Sequence, residues 1–282
     1  MDKPIFSERI FRQEAAKVLP GMGPGVSMIP FTSNACGAMG FSTGLAIFEP
    51  GSMLPYHTHP CSEAVTVLKG SARVQIEGRT YRLEPKECAH FPAGVAHRVT
   101  NPDPERELIA HTAFGSATPT RNLITMAYSL EERDLGDPLA GEPENIRRFR
   151  MGEVYQLQEN AFFTDLFARR FGASGICGGY ARFLPGASLP CHTHDYDESI
   201  TIVAGSAMCL VEGRKYQLRP YETAFIPMGI PHRFLNHSNE EMVMLWVYAG
   251  DEPDRTIVDS GYCDGTMLWQ DSLKDSSATR LS

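Results

Sequence analysis

Four residues that could hold a metal ion occur together twice in this chain of 282 residues. Each set has two histidines separated by one residue, a glutamate four residues later, and a third histidine 34 residues after the glutamate. Imidazole nitrogens and a carboxylate suit a divalent first-row transition metal. The two sets, which contain six of the nine histidines, are His57, His59, Glu63 and His97, and His192, His194, Glu198 and His232.

The spacing within each set suits adjacent β-strands. Side chains alternate between the two faces of a strand, so His57 and His59 point the same way and Glu63 keeps that parity. His97 must then reach the same point from a neighbouring strand. With neutral imidazoles and one carboxylate, a bound M²⁺ keeps a net charge of about +1, and about two positions of an octahedral field stay open.

Open coordination positions are typical of a catalytic metal site, because a structural site is closed by protein ligands. We therefore predict one divalent transition metal in each set. Fe(II) and Mn(II) are favoured, and Ni, Zn and Cu are the alternatives, because the intrinsic affinity order leaves geometry and supply to decide.

Both sets belong to a longer internal repeat. Residues 37–101 align with residues 172–236 without a gap, and 31 of the 65 aligned pairs are identical. Self-similarity over about half of a chain indicates two similar domains. We place the N-terminal domain at residues 1–140 and the C-terminal domain, which ends in a polar tail, at residues 141–282.

Short strands and turns alternate around both sets. Residues 63–69 and 198–204 are rich in β-branched residues, and Gly70 and Gly205 end these runs. Many short strands separated by Gly and Pro predict an all-β sandwich or barrel.

The segments outside the repeat have different predictions. Residues 8–18 and 125–133 are the best candidates for helices. Residues 134–145 are acidic and rich in turn formers, which is typical of a linker. Residues 271–282 form the polar tail, which we expect to be disordered.

Composition excludes several classes of function. The formal net charge is −8 and no basic run is present, so a nucleic-acid partner is not expected. No window approaches the roughly 18 consecutive apolar residues of a membrane span, and the N-terminus does not resemble a secretory signal. The seven cysteines are odd in number and lack a C-x-x-C pair, which indicates free thiols in a reducing cytoplasm.

Both sets lie in segments that resemble the two signature motifs of the cupin superfamily. Residues 51–70 and 186–205 satisfy the first motif, G-x5-H-x-H-x3-E-x6-G, at every fixed position. The second motif, G-x5-P-x-G-x2-H-x3-N, is matched in both halves except at its opening glycine, which is Lys86 in one half and Tyr221 in the other. A type I turn after the preceding proline would accept these residues.

The resemblance covers both halves of the chain, which is therefore similar to a bicupin. It implies two double-stranded β-helix, or jelly-roll, barrels of the cupin type, each with a metal held by the four residues of one set. The superfamily contains dioxygenases, decarboxylases, isomerases, lyases, hydrolases, sugar-binding regulators and seed storage proteins. Storage members usually lack the ligands that are complete here, and regulatory members add a DNA-binding domain for which this chain has no room.

Aligned positions near the two sets carry different residues, which are Tyr56 against Cys191, Cys61 against Tyr196, His90 against Phe225, His111 against Trp246, and Ile47 against Arg182. Drift after duplication explains any single pair. Together the pairs predict cavities that bind different molecules, or one catalytic and one structural site.

Four of these residues are candidates for catalysis. Tyr56, His90 and Tyr196 could move a proton. Arg182 could bind a carboxylate bidentately. For His90, a buried imidazole with one backbone hydrogen bond is the simpler interpretation.

Three functions fit these observations. The first is a metal-dependent dioxygenase that binds a small organic substrate beside O₂. The second is a non-redox isomerase, lyase or decarboxylase, in which the metal polarises a carbonyl or carboxylate while a nearby base moves a proton. The third is a non-catalytic module that binds a metal–ligand complex. Exposed barrel edges commonly pair, so we also expect a homo-oligomer.

Overall fold

A computed structural model describes residues 7–269 and 279–281 of the chain. Within this part the first thirteen strands are β1 (Arg9–Phe11), β2 (Leu19–Gly23), β3 (Val26–Pro30), β4 (Ser42–Phe48), β5 (His57–Thr58), β6 (Glu63–Lys69), β7 (Ala72–Ile76), β8 (Arg79–Leu83), β9 (Cys88–Phe91), β10 (His97–Thr100), β11 (Leu108–Phe114), β12 (Asn122–Leu123) and β13 (Glu131–Asp134). The later strands are β14 (Asn145–Arg147), β15 (Tyr155–Gln158), β16 (Ala161–Phe167), β17 (Cys177–Phe183), β18 (His192–Thr193), β19 (Glu198–Ala204), β20 (Ala207–Val211), β21 (Arg214–Leu218), β22 (Thr223–Ile226), β23 (His232–Leu235), β24 (Met242–Tyr248), β25 (Arg255–Ile257) and β26 (Thr279–Leu281).

Helical structure is sparse in the same residues. One α-helix, α1, spans Ser260–Asp264, and 3-10 turns occupy Gln13–Ala15, Asn34–Cys36, Phe149–Met151 and Arg169–Phe171. No helix in the described ranges has the length and apolar character that a membrane crossing requires.

The strands form two jelly-roll barrels, each made of a seven-stranded and a six-stranded sheet. In the first barrel the strand orders are β14-β9-β6-β11-β4-β3-β2 and β12-β5-β10-β7-β8-β13. In the second they are β1-β22-β19-β24-β17-β16-β15 and β21-β20-β23-β18-β25-β26. The prediction of an all-β protein with two tandem cupin-type barrels is confirmed.

The two seven-stranded sheets pack against each other, which explains why their strands are apolar on both faces. In β6, Val65 and Val67 face the core of the first barrel, whereas Ala64 and Leu68 join a cluster shared with the second barrel. That shared cluster also contains Phe225 of β22. A sheet buried on both sides reads as a continuous apolar run, because neither face meets water.

Each barrel takes one edge strand from the segment that precedes the other barrel's repeat. Strand β14 pairs with β9 of the first barrel, and β1 pairs with β22 of the second. The expected boundary after residue 140 therefore does not separate the two sheets, because residues 145–147 lie beyond it and still complete the first barrel.

Buried glutamates fasten these exchanged strands. Glu144 accepts hydrogen bonds from the Arg79 guanidinium at 2.6 and 2.8 Å and from the Tyr81 hydroxyl at 2.8 Å. Glu8 occupies the equivalent place on the second barrel and accepts from Arg214 at 2.8 Å. Multiple hydrogen bonds to one charge stabilise such a contact beyond that of a surface ion pair.

Both predicted helices are wrong. Residues 8–18 contain β1 and a 3-10 turn, and residues 125–133 have no regular secondary structure until β13 begins at Glu131. Short isolated helices are marginal in water, so pairing with an available sheet edge outweighs weak helical periodicity. Of the predicted tail, only Thr279–Leu281 is described, and it pairs with β25.

The turn at the opening position of the second motif is not type I. Lys86 and Tyr221 adopt φ values of 75° and 66°, in the left-handed region that favours glycine. This conformation directs the Lys86 amide to the carbonyl of Val67 at 2.8 Å and the Tyr221 amide to that of Ile202 at 2.7 Å. These backbone bonds offset a conformational cost of about 1–2 kcal/mol.

Two of the seven cysteines form a disulfide, so the prediction that all are free thiols is wrong. Cys191, which precedes β18, is bonded to Cys263 in α1, and the other five are free. The pairing could not be seen from the sequence because 72 residues separate the partners. The prediction of a reducing compartment rested on free thiols, and the disulfide removes that argument.

Alkylation of the unreduced, denatured protein should modify five cysteines and leave a Cys191–Cys263 peptide pair in the digest. Replacing Cys263 by Ser should lower the free energy of unfolding by up to about 4 kcal/mol, because a long loop is no longer closed in the unfolded chain. Cys209→Ser, at a buried free thiol, is the control for general packing loss. Seven modified cysteines before reduction would contradict the assignment.

Candidate metal centres

The first set of predicted ligands forms one cluster inside the first barrel. His57 on β5 lies directly opposite His97 on β10, and their ring centroids are 4.4 Å apart. His59 and Glu63, at the start of β6, approach from the adjoining loop and strand. One candidate ligand atom from each of the four residues lies within 4.8 Å of the others, and all four residues are buried.

The second set repeats this arrangement in the second barrel. His192 on β18 lies opposite His232 on β23, again with 4.4 Å between ring centroids. His194 and Glu198 complete the cluster, and the four ligand atoms also lie within 4.8 Å of one another. The structure therefore brings together all eight residues that the motif spacing selected.

Backbone carbonyls fix the orientation of every imidazole in the two clusters. A carbonyl can only accept, so each Nδ1 that contacts one must carry the ring hydrogen. The acceptors, in the order of the histidines, are the carbonyls of Pro55, Thr120, Val95, Pro190, Asp254 and Ile230. Every Nε2 consequently presents a lone pair to the centre of its cluster.

These lone pairs face a carboxylate at short range. Nε2 of His97 is 2.8 Å from an oxygen of Glu63, and Nε2 of His232 is 2.6 Å from an oxygen of Glu198. Acceptors at such distances repel unless a proton or a cation lies between them. A divalent metal satisfies all four acceptors at once, so the residues present fit the ion that the motif implies.

Burial keeps several of the ligands in the protonation states that a metal requires. It lowers the pKa of His57 to about 4 and that of His194 to about 3. Burial opposes ionisation of Glu63, but the surrounding imidazoles, His97 foremost, lower its pKa to about 2. Neutral imidazoles and an ionised carboxylate bind a metal without first losing protons near neutral pH.

Aromatic rings pack against the ligands and limit their movement. Phe91 stacks on His97 with 4.0 Å between centroids, and Phe114 meets His59 at 5.0 Å. In the second barrel, Tyr196 stacks on His194 at 5.5 Å and Tyr248 approaches the same ring at 4.5 Å. The centres thus have apolar walls, and their ligands are held in place before a metal binds.

Tyr56 does not line the first centre. It directly precedes His57 on the strand, so its side chain points to the opposite face of the sheet. There its ring packs against Tyr128 at 5.0 Å and beneath the Arg98 guanidinium at 4.7 Å. The strand alternation that selects the histidines also removes Tyr56 from the pocket.

His90 also faces away from the metal centre. Its neighbours Ala89 and Phe91 point into the core of the first barrel, whereas His90 is fully buried on the outer face of that sheet. Neither ring nitrogen has a hydrogen-bond partner, so even the simple prediction of one backbone bond does not hold. Burial lowers the pKa of His90 to about 4, which keeps it neutral.

The pairing of His111 with Trp246 is also corrected. Phe114 pairs with Glu63 and Tyr248 with Glu198, so the offset between the repeats falls from 135 to 134 after the gapless segment. The structural counterpart of His111 is Leu245, and both belong to the side of the sheet that faces the other barrel.

Tyr196 lies beside the second centre, but its hydroxyl is already engaged. It contacts the backbone nitrogen of Asp254 and lies 2.9 Å from the carbonyl of the same residue. That carbonyl accepts the Nδ1 hydrogen of His194. Tyr196 therefore positions a ligand and the backbone that holds it.

Arg182 lies outside the second cavity. Ala181 and Phe183 on the same strand belong to the barrel core, so alternation turns Arg182 outward. Its guanidinium is paired with Glu241 at 2.6 Å, and its side chain is 41% exposed. The predicted contact with a substrate carboxylate at the second centre is not supported by this position.

Another arginine, Arg255, lies near the second centre, although no motif in the sequence indicates it. It is 8% exposed, begins β25 beside the second centre and lies over the ring of Phe163. Burial is the main cause of the lowered pKa values of His192 and His194, and the charge of Arg255 contributes to both. In the sequence, Arg121 and Arg255 are equivalent positions at an offset of 134, but both lie beyond the gapless alignment.

Comparison with known proteins relates both halves of the chain to one family. The profile of the cupin domain matches residues 44–113 and 179–248. A protein named polyketide synthase CurC, from Streptomyces cyaneus, is 35% identical over 114 residues, which cover 36% of this chain and 74% of that protein. A germin-like protein from Morus alba is 30% identical over 123 residues, which cover 40% of this chain but only 57% of its relative.

Solved structures of oxalate decarboxylase from Bacillus subtilis share the architecture. One, determined at pH 4.6, has a TM-score of 0.66 and 16% identity, and covers 89% of this chain and 78% of its own. Another, from a study of the Mn(II) centres of that enzyme, has a TM-score of 0.68 and 16% identity, with coverages of 91% and 81%. At this identity the likeness shows the fold.

Replacing His90 by Phe, the residue at the equivalent position 225, should make the protein less sensitive to acid. The pKa of His90 in the folded protein lies below the ordinary value of 6.5. As the pH falls from 6.5 towards 4, the unfolded chain therefore binds a proton at His90, whereas the folded chain does not. Stability is lost across that window, by about 2 kcal/mol between pH 6.5 and pH 5. Urea unfolding at both pH values measures the difference.

The reverse exchange, Phe225→His, serves as the matched control and should add acid sensitivity. If the wild-type protein and the His90→Phe variant lose the same free energy of unfolding between the two pH values, His90 is not neutral in the folded state.

Proposed function

The chain belongs to the cupin superfamily as a bicupin with two metal-binding clusters, and we propose that it is an enzyme that cleaves a carboxyl group from a small organic acid. The observation that carries this proposal is the convergence of three imidazole lone pairs and one carboxylate in each barrel. Such a set binds a divalent ion and leaves it able to accept a further ligand. The shared fold with an oxalate decarboxylase supports the reaction class.

Mn(II) is the metal we favour, with Fe(II) as the alternative. Mixed imidazole and carboxylate ligands suit both ions, and the related fold of the Bacillus subtilis enzyme carries Mn(II) centres. When bound, such an ion supplies a positive charge that withdraws electrons from a coordinated carboxylate or carbonyl. The protein contributes fixed ligands, aromatic walls that exclude water, and backbone carbonyls that hold each imidazole.

A dioxygenase is the second candidate. The feature that favours it is the small number of protein ligands, which leaves room for one donor atom of a substrate and for O₂ at one ion. The two candidates differ in one requirement, because loss of a carboxyl group as CO₂ from an acid needs no net oxidation, whereas dioxygenation consumes O₂ in proportion to product.

Elemental analysis of protein purified without chelators should find about two transition-metal ions per chain, one for each four-residue cluster. His57→Ala and His192→Ala should each lose about one ion, because three remaining donors bind a divalent ion more weakly. Arg182→Gln, on the outer surface, is the control and should retain both. Full metal content in both histidine variants would contradict the assigned ligands.

The reaction is tested by following CO₂ release and O₂ uptake from a panel of oxalate, malonate, 2-keto acids and β-diketones. Decarboxylation should release CO₂ with O₂ uptake well below one equivalent per product. Uptake of one O₂ per substrate consumed would support the dioxygenase instead.

A further inference from the structure

We propose that the second metal centre is the substrate site and that the guanidinium of Arg255 holds the carboxylate of the substrate there. This inference rests on the proposed function, because it names the residue that would select an acid for that reaction. It also assigns different roles to two centres whose ligands are identical in type.

The sheet places Arg255 on the inner face of the second barrel. Strand β25 pairs antiparallel with β18, with His192 opposite Ile257 and Thr193 opposite Thr256. The next position along puts Arg255 opposite His194. Directly opposed residues share a face, so Arg255 points inward with the ligands. Its guanidinium lies 5.5 Å from the ring centroid of the core residue Phe163.

The buried guanidinium of Arg255 lacks the hydrogen bonds and ion pair that a comparable buried arginine makes. Arg148 is 9% exposed, and its guanidinium bonds to Glu87 and to three backbone carbonyls. Arg255 is 8% exposed, yet its guanidinium has no hydrogen bond or ion pair with any residue in the described ranges. A buried guanidinium is costly without an anion, and a planar fork of donors matches a carboxylate.

The charge of the second centre also calls for an anion. A divalent ion and Glu198 leave a net charge of about +1, and Arg255 raises it to about +2. A carboxylate that contacts the arginine while it coordinates the metal would reduce this charge. A second carboxyl group on the same molecule would neutralise it, so small dicarboxylates are the favoured class.

The backbone that carries Arg255 is held in place. The hydroxyl of Tyr196 bonds to both backbone groups of Asp254, the residue before it, and the ring of Tyr196 stacks on His194. Tyr196 is therefore a positioning residue that fixes the arginine relative to the ligands.

The first centre lacks this combination. Arg121 occupies the place of Arg255, directly after the carbonyl that holds His59, but it is only partly buried and already has an interaction partner. The position of Tyr196 is taken by Cys61, which offers no comparable hydroxyl anchor. A free, buried, anchored cation thus occurs only beside the second cluster among the described residues.

Binding of oxalate and malonate to Mn(II)-loaded full-length protein tests the proposal by calorimetry. The background carries His57→Ala and His59→Ala, so that only the second centre is loaded. Arg255→Gln should lower the binding affinity for both acids by at least tenfold. Its Mn(II) content and melting temperature should stay near those of the background. Arg255→Lys keeps the charge but loses the fork, and should give an intermediate loss. Arg121→Gln is the matched control and should leave both affinities unchanged.

Unchanged affinity in Arg255→Gln, or in Arg255→Lys should the glutamine variant not fold, would overturn the assignment. The assignment would also be overturned if the acids bind only when the first centre is loaded with Mn(II). Oxamide, an uncharged relative of oxalate, should bind equally to the background and to Arg255→Gln. Loss of binding in Arg255→Gln upholds the inference even if no acid on the panel releases CO₂, which would count against the proposed function alone.

Discussion

The hydrogen bond from each imidazole Nδ1 to a backbone carbonyl is the interaction on which both centres depend. Four of these carbonyls are local, because each belongs to the residue two positions before its histidine. The other two come from Thr120 and Asp254, which lie about 60 residues downstream of His59 and His194. Each centre is therefore complete only when the strand after its barrel core, β12 or β25, has closed over it. A hydrogen bond to the ring nitrogen that faces away from the metal sets the tautomer and the direction of a histidine ligand.

The interface between the barrels contributes to the same geometry. Ser62, directly before Glu63, accepts a hydrogen bond from the Ser174 amide, and Asp197, directly before Glu198, accepts one from the Met39 amide. Each metal-binding glutamate thus follows a residue that is held by the opposite barrel. The two halves also share one buried apolar cluster and exchange edge strands, so each centre is built on contacts from both barrels.

The sequence was sufficient for the ligands and for most strands, because both follow from local rules. Identical spacing in two copies selects the eight donors, and strand parity predicts that they converge. Strand parity also predicts that Tyr56 points away from its centre. The orientation of Arg182 could be known only from the structure, because the sequence does not say which face of β17 lies inside the barrel. The strand exchange, the Cys191–Cys263 bond and the buried Arg255 depend on contacts between distant segments. No local pattern encodes them, and the one-residue change in offset hid the relation between the two arginines.

The two centres have diverged in what surrounds their ligands. Cys191, directly before His192, ties β18 to the helix that follows β25, whereas its counterpart Tyr56 packs against the Tyr128 ring and beneath the Arg98 guanidinium. Together with the Tyr196 hydroxyl, this bond fixes both strands that carry the second centre and its arginine. Holding a binding group in place before the ligand arrives removes part of the entropic cost of binding. The second centre combines these anchors with a buried guanidinium that has no hydrogen-bond partner among the described residues, whereas Arg121 beside the first centre is only partly buried and has a partner. Identical ligand sets therefore do not imply equal roles, and the difference lies in the segment after each barrel core.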